Sequence, residues 1–153
     1  MNKRIAMLVV IVVLVSAIVA GCASTPAPVT LSQLPVYSGA TRATSAAVEI
    51  GNQMANGVSK LSVNGASVKS VEHQEFLLPA DAKADQVIGF FNTELAKDQW
   101  TSDPQLAGSD GPWTYKVWTR GSQAACVYHV VNNASGIFGS NVLVVVMLVT
   151  LAK

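Results

Sequence analysis

The residues best suited to chemistry in this sequence are two histidines, His73 and His129. His73 lies in the segment VEHQE, where an extended backbone places its side chain on the same face as that of Glu75. A histidine and a carboxylate can begin a metal site, but two ligands are too few, and the sequence has no HExxH or CxxC spacing. We therefore predict no metal site and interpret the segment as a solvated polar strand face. His129 alternates with valines and is interpreted as a hydrogen-bonded core histidine.

Cys126 lies close to His129 in the chain, and a cysteine activated by a histidine can act as a nucleophile. The surrounding segment AACVYHV carries no signature of a thiol hydrolase and is typical of a strand with a small buried thiol. The chain also has no GxSxG motif, phosphate-binding loop or dinucleotide fingerprint. We therefore predict no catalytic residue and no cofactor. The alternative, a small hydrolase, requires His73, His129 and Cys126 to converge in space.

Aromatic side chains are concentrated in the second half of the chain, namely Trp100, Trp113, Tyr115, Trp118 and Tyr128. Aromatic faces next to cations can bind glycans, peptides or apolar ligands. In an extended segment, Trp118 and Arg120 point away from the face that carries Trp113. We therefore predict Trp118 and Arg120 as surface ligand-binding residues. The alternative is that the aromatic cluster is core or cross-strand packing.

The charge distribution excludes nucleic acid as a partner. The chain has ten lysines and arginines against nine aspartates and glutamates, which gives a formal net charge of +1. The basic residues are scattered, whereas binding to a phosphate backbone requires clustered cations. Residues 1–21 carry two basic residues and no acidic one, so that the chain without them has a formal charge of about −1.

The N-terminal segment combines a basic start, an apolar run and a cysteine. Lys3 and Arg4 precede the apolar residues 5–19, and small residues follow just before the cysteine. This arrangement is typical of a secretory signal peptide, and the run is short for a permanent membrane helix, which needs about 20 apolar residues. The residues at its end resemble the lipobox of bacterial lipoproteins: Val19, Ala20, Gly21 and Cys22.

The resemblance implies a role for each of these positions. Residues 1–21 are the signal peptide, a dedicated signal peptidase recognises Val19, Ala20 and Gly21, and the sulfur of Cys22 carries a diacylglycerol. The protein is then anchored by lipid to a bacterial cell membrane, and its domain faces the extracytoplasmic side. Three alternatives stay open: an uncleaved membrane helix, an ordinary signal peptide with a Cys22–Cys126 disulfide, and a C-terminal glycolipid anchor whose hydrophobic tail is 142–152.

The rest of the chain predicts a tether followed by one domain. Residues 22–35 contain three prolines and no charge, which favours an extended tether, and residues 36–153 form a single domain. The order α-β-α-β-β-β predicts an α+β fold with two helices and a mostly antiparallel, four-stranded sheet. The helices are predicted across 44–61, with two short strands over 43–62 as the alternative, and around 81–97; the strands are predicted at 68–78, 113–120, 124–131 and 142–151.

The predicted domain has no sequence feature that assigns it an activity. The segments LPVYSGAT, FFNTELAKDQW and WTRG resemble small bacterial lipoproteins without an assigned activity, and this resemblance transfers no functional residue. We predict a non-catalytic binding or interaction domain, with a protein or a glycan as its candidate partner. The alternatives are a small envelope hydrolase and a structural or assembly component that pairs through its sheet. The last strand is apolar on both faces, so we expect it to be central.

Overall fold

The computed structural model describes residues 25–43, 45–131 and 142–152, and these residues form an α+β domain. The predicted signal peptide and Cys22 lie outside the described residues. The α+β class, the two helices and the antiparallel sheet are confirmed. In the described part of the chain, no helix is long and apolar enough to cross a membrane. The strands are β1 (Thr41–Arg42), β2 (Ser62–Val63), β3 (Ala66–Leu77), β4 (Thr101–Asp110), β5 (Trp113–Arg120), β6 (Gln123–Val131) and β7 (Val142–Leu151), and the helices are α1 (Ser45–Val58) and α2 (Ala84–Lys97).

The sheet has seven strands in the described part of the chain, so the prediction of four is wrong. Their order is β1-β3-β7-β6-β5-β4, and β2 pairs with β3 at a separate position. The strands β1 and β2 have two residues each, which is too short to show an alternating pattern. The composition of β4 predicted a loop. The structure instead has a strand there, which lies at the edge of the sheet and pairs with β5. A register shift between Asp103 and Ala107 accommodates Pro104 there.

Strand β7 lies in the middle of the sheet, between β3 and β6, as its two apolar faces predicted. Helix α1 packs on the face that carries Val145 and Met147, and helix α2 packs on the face that carries Val144 and Val146. We call these the α1 face and the α2 face. One form of the assembly hypothesis requires β7 to pair with another protein. Both edges of β7 are already paired, so this strand is not available for that role.

Helix α1 is a single helix, which decides between the two alternatives for residues 43–62. Ala47 and Val58 are buried in the core of the α1 face. Gly51 lies against the sheet, since a Cβ atom built there would be 1.6 Å from Oε1 of Glu75. The glycine weakens the helix in isolation, but it allows the helix to lie directly on β3.

The segment before residue 36 is part of the domain, so the predicted boundary between tether and domain is wrong. Leu31 and Leu34 are buried in the core of the α2 face, where Leu31–Gln33 forms a 3-10 turn. The side chain of Gln123 donates to the carbonyl oxygen of Val29 and accepts from its N–H, both at 2.8 Å. Both backbone polar groups of Val29 therefore have a partner in the sheet, and the two leucines are removed from water.

Candidate functional site

Trp118, one of the two predicted ligand-binding residues, is not on the surface. It lies on the opposite face from Trp113, as its alternation predicted, but the packing of α2 on that face leaves only 1% of the residue exposed. Its Nε1 donates to Oδ1 of Asn92 at 3.2 Å, and the Phe91 ring packs against it. The predicted surface role of Trp118 is wrong because alternation gives the face of a strand but not what covers that face.

Arg120, the second predicted ligand-binding residue, is bound by the protein's own chain. Its Nη1 donates to the carbonyl oxygen of Ala27 at 2.6 Å, and its guanidinium lies 5.9 Å from the centroid of the Trp100 ring. Its Nε is buried and has no hydrogen-bond partner among the described residues. These contacts hold the N-terminal segment against the end of β5. A ligand role for Arg120 stays a prediction. Trp118, which was predicted to bind the ligand beside it, is buried.

His73 and Glu75 form a buried pair on the α1 face. The Nδ1 atom of His73 is 2.5 Å from Oε1 of Glu75, and Glu75 is 5% exposed. The interpretation of this strand face as solvated is wrong for the pair, because Gly51 of α1 lies directly over both side chains. Only Glu72, on the α2 face, is exposed. Within the described ranges, no group of three or more histidines, cysteines or carboxylates could hold a metal ion.

The three residues required by the hydrolase hypothesis do not converge. His129 is buried on the α2 face, with its Nε2 3.1 Å from the carbonyl oxygen of Ala82, which confirms it as a hydrogen-bonded core histidine. His73 and Cys126 lie on the opposite, α1 face. They are separated there by Met147 of β7, and two strand spacings amount to about 10 Å.

Cys126 is a buried free thiol, as predicted, and is 3% exposed. Burial raises the pKa of this thiol to about 12, because removal from water disfavours the charged thiolate. The thiolate is the nucleophilic form of cysteine, so the thiol of Cys126 is unreactive at neutral pH. The environment of Cys126 is therefore that of a structural core residue.

An apolar pocket beside Cys126 is the candidate binding site of this domain. It lies on the α1 face and has a volume of about 210 Å³. The end of α1, the following turn with β2, and strands β4 to β6 form its walls. None of the lining residues is acidic, basic or a histidine: Val58, Leu61, Ser62, Val63, Leu106, Tyr115, Val117, Cys126 and Tyr128.

Two local features of the backbone build the walls of the apolar pocket. The register shift in β4, which ends at Ala107, brings Leu106 against the core of the α1 face. On the other side, Asn64 and Gly65 have φ angles of 51° and 79° and form the turn that folds β2 against β3. Leu61, just before β2, lines the pocket while 57% of it stays exposed, so it forms part of the rim.

Tyr115 and Tyr128 stack against each other in the wall of the pocket, with their ring centroids 5.6 Å apart. Gly108 of β4 leaves room for Tyr115, since a Cβ atom there would lie 3.0 Å from its hydroxyl oxygen. Burial first, and then the nearby Cys126 and Tyr115, raise the pKa of Tyr128 to about 12, so its phenol is neutral at pH 7. The pocket therefore offers aromatic and aliphatic contacts without a formal charge.

A larger cavity of about 560 Å³ lies at the opposite end of the sheet, near the start of α2. Asp81, Lys83 and His129 are among its lining residues. Val131 and Val142 also line it, and they are joined by residues 132–141, which lie outside the described residues.

Sequence reasoning identified the two tyrosines of the apolar pocket only as members of an aromatic cluster, and it missed the pocket itself. Leu106 lies in a segment with the composition of a loop. The spacing of Leu61 predicted it as part of the first helix, but α1 ends at Val58, before Leu61. Comparison of the chain with protein-family models, with curated proteins and with solved structures gave no match. The described residues thus form an α+β domain with a small, uncharged apolar pocket on its α1 face.

Proposed function

We propose that this protein is a lipid-anchored protein of the bacterial cell envelope whose domain binds a small apolar group and catalyses no reaction. The observation that carries the binding function is the apolar pocket of about 210 Å³ next to Tyr115 and Tyr128. This volume corresponds to about seven water molecules, so the pocket accepts one short aliphatic or aromatic group rather than a whole lipid. The two phenol groups supply polar atoms that could fix its orientation.

The absence of a charged lining residue supports binding rather than catalysis. General acid–base catalysis requires a group that titrates near the operating pH. Burial raises the pKa of two lining groups, Cys126 and Tyr128, to about 12. Both groups are therefore protonated at neutral pH, and neither can accept a proton from a bound ligand.

The anchoring function rests on Val19, Ala20, Gly21 and Cys22, which resemble a lipobox. The burial of Cys126 supports it, because Cys126 is the disulfide partner that an ordinary secreted form would need. Cys126 lies on the α1 face, whereas Ala27 and Val29 are bound on the α2 face. A lipidated Cys22 is consistent with a free, buried Cys126.

Labelling with palmitate tests the anchor. We expect a bacterial strain that expresses the full chain to incorporate the label into the protein and to retain the protein in the membrane fraction. Cys22→Ala should abolish incorporation of the label, and Cys126→Ala serves as the matched control that keeps it. A Cys22→Ala variant that still carries the label contradicts the proposal.

Titration with toluene, a single uncharged aromatic ring, tests the binding site. Isothermal calorimetry measures the affinity, and we expect saturable binding to the wild-type protein. Leu61→Lys places a charge at the rim and removes an apolar contact, which should weaken binding about tenfold. Val36→Lys is the matched control, because Val36 is a similarly exposed apolar residue that does not line the pocket. Equal losses in the two variants, or no saturable binding, refute the assignment.

A further inference from the structure

The start of the described chain is bound along the end of β5 and the beginning of β6. Ala27 accepts a hydrogen bond from Arg120 at 2.6 Å, and Val29 exchanges two hydrogen bonds with the buried side chain of Gln123 at 2.8 Å. We call residues 25–29 the strap. We call the end of the sheet that contains the β5–β6 turn the turn end.

The strap begins directly beside that turn. A Cβ atom built on Gly121 would lie 3.3 Å from Cγ2 of Thr25. Cys22 precedes Thr25 by only three residues, and three residues span at most about 10 Å. A chain of that length cannot hold the domain at a distance of tens of ångströms, as the predicted tether over residues 22–35 would have done.

We propose that the turn end of the sheet rests against the phospholipid headgroups of the membrane in which Cys22 is anchored. This inference rests on the proposed lipidation of Cys22. A diacylglycerol on the sulfur holds Cys22 at the membrane interface, and the strap then keeps the turn end within about 10 Å of it. The opposite end of the sheet, which includes the start of α2, points away from the membrane.

The surface of the turn end is compatible with headgroups. The N–H of Leu151 donates to the carbonyl oxygen of Ser122 at 2.9 Å, so the end of β7 lies beside the β5–β6 turn. In β3, Val68 pairs with Leu151, and the next residue, Lys69, is exposed at this end. An exposed ammonium group near the membrane surface is attracted to lipid phosphates. Lys83 is exposed at the opposite end and provides an internal reference.

The rates at which lysines are acylated measure this orientation. We would reconstitute the full lipoprotein in phosphatidylglycerol–phosphatidylethanolamine vesicles and treat it with a membrane-impermeant sulfosuccinimidyl acetate. Mass spectrometry of the same sample gives the lipid on Cys22 and the ratio of the Lys69 rate to the Lys83 rate. We expect this ratio to be severalfold lower on vesicles than for the unlipidated protein, expressed from residue 22 with Cys22→Ala, in solution, because headgroups shield Lys69 only.

A variant with a lengthened linker separates contact from anchoring. Ten glycine and serine residues inserted between Ser24 and Thr25 leave the anchor and the strap intact but allow the turn end to leave the surface. We expect this variant to stay on the vesicles and to regain the ratio measured in solution. The same ten residues inserted between Asp110 and Gly111, at the opposite end, are the matched control and should leave Lys69 shielded.

Three results overturn the inference, and they are distinguishable from one another. If Cys22 carries lipid but Lys69 and Lys83 react on vesicles as they do in solution, the orientation is wrong while the anchor stands. If Cys22 carries no lipid, the proposed anchoring and the orientation fail together. Shielding of Lys83 in place of Lys69 also refutes the orientation.

Discussion

Replacement of Gly51 by alanine should destabilise this protein, although alanine is the better helix former. Gly51 lies within α1, where the exchange of glycine for alanine normally stabilises a helix by about 1 kcal/mol. Here the new Cβ atom would lie 1.6 Å from Oε1 of Glu75, 2.6 Å from its Cδ and 2.8 Å from Nδ1 of His73. These distances are far below van der Waals contact, so the Glu75 carboxylate has to leave its position beside His73.

The expected magnitude follows from two opposing effects. Removing the buried carboxyl group of Glu75 from its hydrogen bond with His73 costs about 3 kcal/mol, because Glu75 is 5% exposed and little solvent is available to replace His73. The gain in helix propensity offsets about 1 kcal/mol of this cost. We therefore expect Gly51→Ala to lower the free energy of unfolding by about 2 kcal/mol and the Tm by about 6 °C.

Urea unfolding of the chain expressed from residue 23 measures the effect, and two further variants identify its cause. Gly57→Ala is the matched control in the same helix, because no atom lies within 4 Å of its added Cβ; it should stabilise the protein by up to about 1 kcal/mol. In a Glu75→Ala background the closest clash is absent, and Gly51→Ala should no longer destabilise. If Gly51→Ala stabilises the protein as much as Gly57→Ala does, the close packing of Glu75 beneath α1 is refuted.

Two further predictions concern the N-terminal segment and the buried thiol. Leu34→Ala should lower the free energy of unfolding by about 2–5 kcal/mol in the same urea assay, because Leu34 is buried. Val36 is half-exposed, so Val36→Ala should change this free energy by no more than about 0.5 kcal/mol. Equal effects of the two substitutions would support a tether over residues 22–35. Burial raises the pKa of the Cys126 thiol from 9.0, its ordinary value, to about 12 in the folded protein. The unfolded state therefore loses the thiol proton first as the pH rises, and the free energy of unfolding falls between pH 9 and 12. Cys126→Ala should make this alkaline loss smaller by an amount of up to about 4 kcal/mol, and an unchanged pH profile contradicts the burial of the thiol.

The sequence predicted those elements whose pattern is decided locally. Strand β7 has apolar residues on both faces, which is possible only for a strand covered on both sides, and its bounds and its central position are confirmed. Helix α2 has a regular apolar stripe, and its buried residues Val87, Phe91 and Leu95 follow it. In contrast, β4 could not be predicted, because Pro104 and Gly108 are acceptable in an edge strand only through a register shift that the partner strand determines.

The site depended on what covers each face, and a strand pattern does not contain that information. Trp118 and Trp113 alternate as predicted, but the packing of α2 buries Trp118 while Trp113 stays partly exposed. The burial of the His73–Glu75 pair likewise depends on Gly51, more than 20 residues earlier in the chain. Such contacts join segments that are distant in sequence, so residue spacing within one segment cannot predict them.

The strap connects the two proposals made for this protein. The segment without charges and with three prolines was predicted to separate the domain from a membrane, whereas Gln123 and Arg120 bind it to the sheet. The pairing of Val63 with Ala66 places β2, one wall of the apolar pocket, at the beginning of β3, which is at the turn end. If the turn end rests on headgroups, that wall of the pocket lies on the membrane side of the domain. An apolar group dissolved in the bilayer is then the nearest source of a ligand, and the short linker after Cys22 would serve to keep the pocket close to it.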